Sequence, residues 1–253
     1  MRGSATGLAA LALLAAAGAT RAAEPSSVIQ TAKQFDVAFG VGVKTDYLAR
    51  GISQTTNGAA AQGFVEFDFT QLYAGAWASN VSLNGAQDFE VDLAAGWRPE
   101  FNKFSFDFGY VHYLYLDSVM GNDFGEAYAG VTFAATDNLS IGAKVNFAPD
   151  YAASGTSATY AELNSDLKLP NNFGISGAVG YQNFEASYGA SYWHGNIGLY
   201  WSINPAVKLD LRASGTTLST ADCANLMVAG NVCGAKVLLG LSVATSLSEL
   251  GKK

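Results

Sequence analysis

The sequence has little charge for its length. Lys and Arg number 14 and Asp and Glu 21 in 253 residues, or 14% of the chain, whereas soluble globular domains carry about 25% charged residues. We therefore do not expect a heavily solvated surface. The formal net charge of −7 offers no basic patch for phosphates, so no nucleic-acid partner is expected.

Long apolar runs are missing beyond residue 34. A transmembrane helix needs about 20 predominantly apolar residues, so this absence excludes a bundle of membrane helices. Hydrophobic residues still make up 49% of the chain, and 28 residues are Gly. The apolar residues are spread evenly and diluted by small ones, a composition that also excludes a disordered chain.

Cysteine and histidine are scarce, with only Cys223, Cys233, His112 and His194 present. The cysteines lie ten residues apart in a stretch of small and polar residues. In an oxidising compartment we predict a disulfide between them. Because both histidines are distant in sequence, the thiols make a weak metal site, and we predict neither a metal nor a cofactor.

The N-terminus has the features of a secretory signal peptide. A positively charged start is followed by an apolar stretch over residues 8–17 and by small residues. We predict cleavage after Ala22 or Ala23. Residues 1–23 would then be removed, and residues 24–34 would form a short periplasmic segment.

From residue 35 onward the dominant pattern has a period of two, which is typical of strands. In the first stretch Phe35, Val37 and Phe39 alternate with polar or small residues. Twelve strands are predicted, over residues 35–51, 58–69, 72–81, 89–99, 104–115, 124–134, 139–148, 156–168, 173–181, 191–202, 206–216 and 234–247.

Charged residues in these stretches all fall on the polar parity of their own strand. Each strand therefore has one apolar and one polar face. Alternation alone does not say whether the apolar face points into a soluble core or outward into lipid.

The lengths of the connections favour a membrane barrel. Those after even-numbered strands are short and contain turn residues, as in 70–71, 136–138 and 170–172. Those after odd-numbered strands are predicted to be longer, as in 116–123 and 217–233. Tight turns at one rim and longer loops at the other are typical of outer-membrane barrels.

Aromatic residues on the apolar parity lie near the strand ends, whereas a soluble core would place them at mid-strand. Two belts of amphipathic rings are expected at the two membrane interfaces. The predicted girdle includes Tyr47, Trp97, Tyr110, Trp193 and Trp201, together with Phe35, Phe67, Tyr73, Phe89, Phe104, Phe133, Phe147, Phe173 and Tyr181.

Closing an even number of meander strands removes the two unpaired sheet edges. The backbone N–H and C=O groups at such edges find no hydrogen-bond partner in lipid. The predicted fold is all-β, a single closed antiparallel up-and-down transmembrane β-barrel of about 12 strands over residues 35–247, with a tail at 248–253. The residues predicted to line the lumen and set its selectivity are Lys44, Asp46, Arg50, Glu66, Asp68, Glu90, Asp92, Arg98, Asp107, Glu126, Lys144, Glu162, Asp166, Lys208, Asp210, Arg212 and Lys236.

Three runs carry a family resemblance: Asp46 to Gln54, Leu72 to Val81 and Phe108 to Tyr113. The chain resembles the TorF-family putative porins of proteobacteria over roughly residues 35–247, and the Arg-Gly-Ile-Ser-Gln run is the most specific part. The resemblance implies an outer-membrane barrel and a channel, and it brings no catalytic residues. One departure is that the last strand ends at Leu247 where such barrels often end on an aromatic residue.

Arg50 allows two interpretations. It could line a constriction near the long-loop rim and select acidic solutes. It could instead pair with a lumen carboxylate such as Glu66 or Glu90 and hold the wall together, which is the favoured interpretation.

Enzymatic motifs are missing: the sequence has no G-x-S-x-G run and no H-E-x-x-H pair. His112 falls on the lipid parity and His194 on the lumen parity. Loop residues Asp117, Asn122 and Asp123 could hold calcium, but loop acids usually face water.

We predict a non-enzymatic outer-membrane porin of Gram-negative bacteria for passive diffusion of small solutes, in contact with outer-membrane lipid. The alternative is a closed structural or adhesive barrel whose extracellular loops bind a partner. A barrel hydrolase is the third hypothesis.

Overall fold

The computed structural model describes residues 35–83, 86–116, 123–185, 188–227 and 231–251. The predicted signal peptide, the segment 24–34, Asp117 and Asn122 lie outside these ranges. Of the helices within them, none is both long and apolar enough to cross a membrane.

The described ranges contain twelve long strands that form the wall, here numbered in chain order. They are β1 Asp36–Lys44, β2 Ala60–Phe69, β3 Leu72–Leu83, β4 Ala86–Trp97, β5 Phe104–Tyr115, β6 Phe124–Ala134, β7 Leu139–Ala148, β8 Ala158–Lys168, β9 Phe173–Phe184, β10 Tyr192–Asn204, β11 Val207–Thr216 and β12 Lys236–Ser246.

Each wall strand pairs antiparallel with the next one along the chain. The last strand returns to the first, with Val41 directly opposite Val243. The sheet thus closes into a barrel without an unpaired edge. The predicted closed, antiparallel, up-and-down barrel of twelve strands is confirmed.

The alternation places apolar side chains outside, because successive residues of a strand point to opposite faces. Leu93 on β4 is 46% exposed and Leu211 on β11 is 51% exposed. Charged residues of the opposite parity, such as Glu90 and Asp92, are fully buried inside the barrel. The exterior is therefore apolar, and the interior holds the charges.

The first predicted strand, 35–51, was too long. The wall strand ends at Lys44, and the chain then forms a small hairpin that pairs Leu48–Ala49 with Ile52–Ser53. The turn residues Arg50 and Gly51 have φ values of 47° and 83°, a left-handed conformation that ends an extended strand.

The connection between β3 and β4 also differs from expectation, since only residues 84–85 separate these strands. The alternation of short and long connections is therefore broken at this position. At the C-terminus, Leu247 starts the short helix α2, Leu247–Leu250, instead of ending the wall strand. The Ser246 side chain caps this helix by accepting a hydrogen bond from the Glu249 N–H.

The remaining elements lie at the barrel ends. They are a two-residue strand at Glu100–Phe101, 3₁₀ helices at Tyr151–Ala153 and Pro170–Asn172, and helix α1 at Thr220–Met227. Cys223 in α1 is bonded to Cys233, with their Cα atoms 5.9 Å apart. The predicted disulfide is confirmed.

Candidate functional site in the barrel interior

The hairpin after β1, which we call the inner hairpin (residues 45–59), folds into the barrel. Its Tyr47 is 4% exposed and packs on Trp77 with ring centroids 5.3 Å apart. The Tyr47 hydroxyl donates to Glu90 Oε1 at 3.2 Å. Tyr47 is thus a lumen residue, and its assignment to the aromatic girdle was wrong because the chain leaves the wall at Lys44.

Arg50, at the tip of the inner hairpin, reaches other wall strands. Its guanidinium donates to Glu126 Oε2 on β6 and to Gln182 Oε1 on β9, each at 2.6 Å. The same group lies 4.4 Å from the ring centroid of Tyr160 on β8. Arg50 pairs with a lumen carboxylate, but the partner is neither Glu66 nor Glu90.

The Arg50 and Glu126 pair is almost fully enclosed, with side-chain exposures of 3% and 1%. Burial alone would lower the pKa of Arg50, but the charge of Glu126 raises it above its ordinary value, so the guanidinium stays ionised. Glu126 Oε2 also accepts from the Tyr113 hydroxyl at 3.1 Å and from the Asn146 amide at 2.9 Å. Glu126 therefore joins the inner hairpin to three wall strands.

The base of the inner hairpin is also tied down. Asp46 Oδ1 accepts from the hydroxyls of Ser53 and Thr55 at 2.6 and 2.8 Å. Lys236 on β12 lies 3.9 Å from Asp46 and hydrogen-bonds Asn57. These contacts hold the hairpin in its inward conformation.

The disulfide loop packs against the same hairpin. The Ser53 N–H donates to the Val232 carbonyl at 2.9 Å. Ile52 belongs to the same buried apolar cluster as Cys223, Val232 and Cys233. Contacts at the long-loop rim therefore connect the disulfide to the inner hairpin.

A cluster of tilted and edge-on aromatic rings lies near the long loops. Tyr151 lies 4.8 Å from Phe124, 5.2 Å from Phe184 and 5.2 Å from Tyr188, measured between ring centroids. We call these four residues the aromatic plug. Together with the inner hairpin they occupy the interior of the barrel at this end.

A second charged group lies toward the short turns. Arg98 binds Glu66 through two hydrogen bonds of 2.7 and 3.0 Å. Asp68 and Asp107 lie 3.8 and 3.7 Å from the same guanidinium. The Tyr73 ring lies under it at 3.4 Å, which gives a bidentate pair with a stacked aromatic partner.

Tyr73 is 6% exposed and its hydroxyl contacts Asp107 and Tyr128. Its assignment to the outward girdle was wrong. The strand that carries it has no charged residue to fix the parity, and the outward positions are filled by small residues such as Ala74 and Ala76.

A third charged group lies on β8 to β11. Arg212 pairs with Asp210 at 2.9 Å and donates to the Ser176 hydroxyl at 2.8 Å. The Tyr200 hydroxyl donates to Asp166 at 3.0 Å. Lys208 is 4.9 Å from the Tyr200 ring centroid.

Lys144 and Glu162 are directly opposite one another on β7 and β8. Lys144 lies 4.1 Å from the Tyr128 ring, and the Tyr160 hydroxyl donates to Glu162 at 2.5 Å. Among the predicted lumen residues, Lys44 is exposed at the loop end of its strand. Asp46 and Arg50 lie on the inner hairpin and not on a wall strand.

The other named girdle residues, Trp97, Tyr110, Trp193 and Trp201, lie on the outer surface with 40–53% exposure. Sequence reasoning missed Gln182 and Asn146 as partners at the lumen centre. Both lie on the polar parity of their strands. An uncharged polar residue on that parity is the signal that could have identified them.

The histidines occupy different environments. His112 lies beside Tyr110 on the outer face, 3.3 Å from its hydroxyl. His194 is 2% exposed, and its Nε2 lies 2.6 Å from the Tyr160 hydroxyl. Because Tyr160 gives its proton to Glu162, His194 donates through Nε2. Within the described ranges no group of three or more His, Cys, Asp or Glu is placed to hold a metal ion.

Comparison with solved structures gives porin barrels of the same fold. The KdgM porin aligns with a TM-score of 0.55 and 10% identity, covering 82% of this chain and 98% of that chain. The KdgM porin in complex with disordered oligogalacturonate aligns with a TM-score of 0.56 at the same identity and coverage. At this identity the likeness establishes the fold alone.

Comparison with curated proteins gave no match. A family model does match residues 29–221, which is most of the chain. The family is described as bacterial protein of unknown function (Gcw_chp), and this chain belongs to it.

Proposed function

We propose that the chain is a passive channel for small solutes in the outer membrane of a Gram-negative bacterium. The observation that carries this proposal is the closed wall with an apolar outside and a charged inside. A soluble barrel of this size would invert that arrangement, since water would face the outer surface. In this role the chain acts as a porin of the TorF type that its sequence resembles.

Lipid is the partner that the outer surface fits. Long aliphatic side chains such as Leu93, Leu211 and Val237 are 46–72% exposed. Trp97 and Trp201 near the short turns and Trp193 near the long loops are placed as interfacial rings. Removing this surface from water is a large favourable term, at about 25 cal/mol per Å².

Selectivity is proposed to come from the lumen groups. The predicted lumen set contains ten acids and seven bases, a formal balance of −3. The inner hairpin and the aromatic plug occupy part of the lumen, which favours small solutes over large ones. The KdgM porin is solved in complex with oligogalacturonate, and an acidic lumen disfavours an anion of that kind.

Single-channel recording in planar bilayers tests this function. Folded wild-type protein should give discrete conductance steps, and a variant without the inner hairpin should give larger ones. Lys44 and Ala60 are directly paired in the wall, so an Asn-Gly turn can replace residues 45–59 without straining the barrel. Absence of steps from both folded proteins would contradict a channel function.

A second function is favoured by one observation, the burial of the lumen centre. Glu126 is 1% exposed and Gln182 and Glu90 are 0% exposed, as in a closed structural barrel whose loops bind a surface partner. The two functions make opposite predictions for the wild type. A structural barrel should give no conductance steps while the inner hairpin is in place.

A further inference from the structure

Building on the proposed channel function, we propose that Glu90 and Asp92 make the passage selective for cations. They are the specificity-determining residues at the level where Tyr47 of the inner hairpin reaches the wall. The solute class that follows is small cations, inorganic or organic, and small anions are excluded.

Glu90 and Asp92 occupy neighbouring inward positions of β4, and both side chains are 0% exposed. Trp77 lies directly opposite Asp92 on one side, and Tyr113 lies opposite it on the other. The carboxylates are therefore held between aromatic neighbours at the level where the inner hairpin enters the lumen.

Few groups neutralise this pair. The Tyr47 hydroxyl donates to Glu90 Oε1 at 3.2 Å. In the part of the chain that the structure describes, Glu90 Oε2 and both Asp92 oxygens accept a hydrogen bond from no donor outside this carboxyl pair. A buried acceptor without a donor is costly, and a passing cation or its hydration water supplies the missing interaction.

The guanidinium groups of the lumen bind other acids. Arg50 is held by Glu126 and Gln182, as described above. Arg98 binds Glu66 and Arg212 binds Asp210. Among the described residues, Glu90 and Asp92 are therefore left without a guanidinium partner.

An independent observation comes from Asn146, which is 1% exposed. Its amide nitrogen donates to Glu126, but its Oδ1 has no partner among the described atoms. Tyr113, opposite Asp92, binds the same carboxylate from another strand. Asn146 and the Tyr113 neighbour of Asp92 therefore both bind Glu126, and Asn146 adds a further oxygen acceptor to this part of the lumen.

Donors without a partner are fewer at this level. The Arg50 Nε–H lacks an acceptor among the described atoms, and it belongs to a guanidinium already bound to Glu126. Oxygen acceptors therefore outnumber free donors, which is the arrangement expected for cations and not for anions. The field of such charges is strongest in a narrow, low-dielectric passage.

The competing explanation is that Glu90 and Asp92 share a proton and carry little charge. Recording the reversal potential across a KCl gradient separates the two explanations. The wild type and the variant without the inner hairpin should both have a reversal potential of the sign expected for a cation-selective channel. The second loses Asp46 and Arg50 together, so its net charge is unchanged and its cation selectivity should be retained.

Substitution assigns the effect to these residues. In Glu90→Gln/Asp92→Asn the reversal potential should move toward zero, and each single substitution should move it part of the way. Glu100→Gln is the matched control, because Glu100 is an exposed acid at a short turn and its change should leave the reversal potential where it was. Heat-modifiable migration on a gel verifies that each variant is folded, and the single variants suffice if the double variant does not fold.

The outcomes separate the two proposals. Conductance steps with a wild-type reversal potential near zero would overturn cation selectivity and leave the channel intact. An unchanged reversal potential in folded Glu90→Gln and Asp92→Asn would overturn the assignment to these residues. Absence of conductance in every folded protein would instead contradict the channel function on which this inference rests.

Discussion

The guanidinium of Arg50 lies 2.6 Å from the carboxylate of Glu126, although the two residues are 76 positions apart in the chain. Arg50 is carried by the inner hairpin and Glu126 by β6, five strands further along the wall. Their contact crosses the lumen and fixes the hairpin inside the barrel. If the chain is the proposed channel, the same contact should couple the stability of the barrel interior to its conductance.

Breaking this pair should both destabilise the interior and widen the passage. Arg50→Ala leaves Glu126 buried without its cation, which costs about 3–5 kcal/mol. We expect a lower urea midpoint of unfolding in detergent micelles and larger or more frequent conductance steps. The double variant Arg50→Ala/Glu126→Gln should recover part of the stability while keeping the larger conductance. Equal stability of Arg50→Ala and the wild type would show that the Arg50 and Glu126 pair does not hold the inner hairpin inside the barrel.

The disulfide should stabilise the inner hairpin from the long-loop side. Closing a loop of this length contributes about 2–3 kcal/mol in the chain-entropy model. Reduction of the wild type, or Cys223→Ala/Cys233→Ala, should raise the open probability, because Val232 and Ile52 lose their fixed contact. A reducing agent should have no further effect on the double variant. An open probability that is unchanged by reduction would refute the coupling.

The lipid-facing surface can be tested with a single charge. Leu211→Arg or Leu93→Arg should cost about 2–4 kcal/mol if the position lies at the bilayer midplane. The measurement is the free energy of unfolding from lipid vesicles. Leu250→Arg is the matched control, since Leu250 is exposed on α2 beyond the wall and should be nearly neutral. Equal effects at all three positions would argue against lipid contact.

The Arg98 and Glu66 pair should contribute to the stability of the barrel but not to the open probability of the channel. Arg98→Ala leaves Glu66 buried at 1% exposure. The cost should be about 2–3 kcal/mol, below the value for a fully buried pair because Arg98 is 25% exposed. Lys103→Ala, an exposed cation at the same turn, should cost little. A raised open probability in Arg98→Ala would show that the Arg98 and Glu66 pair also controls the conductance of the channel.

Much of the wall could be predicted from the sequence because alternation is a local property. On β4, for example, the apolar side chain of Leu93 predicts an outward position and the charged side chain of Asp92 an inward one. Tyr73 was misassigned for the converse reason, since its strand carries small residues outside and aromatic residues inside. When a strand carries no charged residue, alternation alone does not show which of its two faces points outward.

The inner hairpin could not be predicted from alternation. The period-two pattern continues past Lys44 to Tyr47, but the Asp46 side chain binds Ser53 and Thr55 and turns the chain inward. The identity of Glu126 as the partner of Arg50 depends on how the barrel closes. That geometry brings together residues whose separation in sequence carries no information about their distance.

The most direct measurement is the ionic current through purified, folded protein in a planar bilayer, recorded for the wild type beside the variant with residues 45–59 replaced by a two-residue turn. This account predicts stepwise currents in both, with the larger unitary step in the shortened variant. Two folded proteins that remain electrically silent would contradict it.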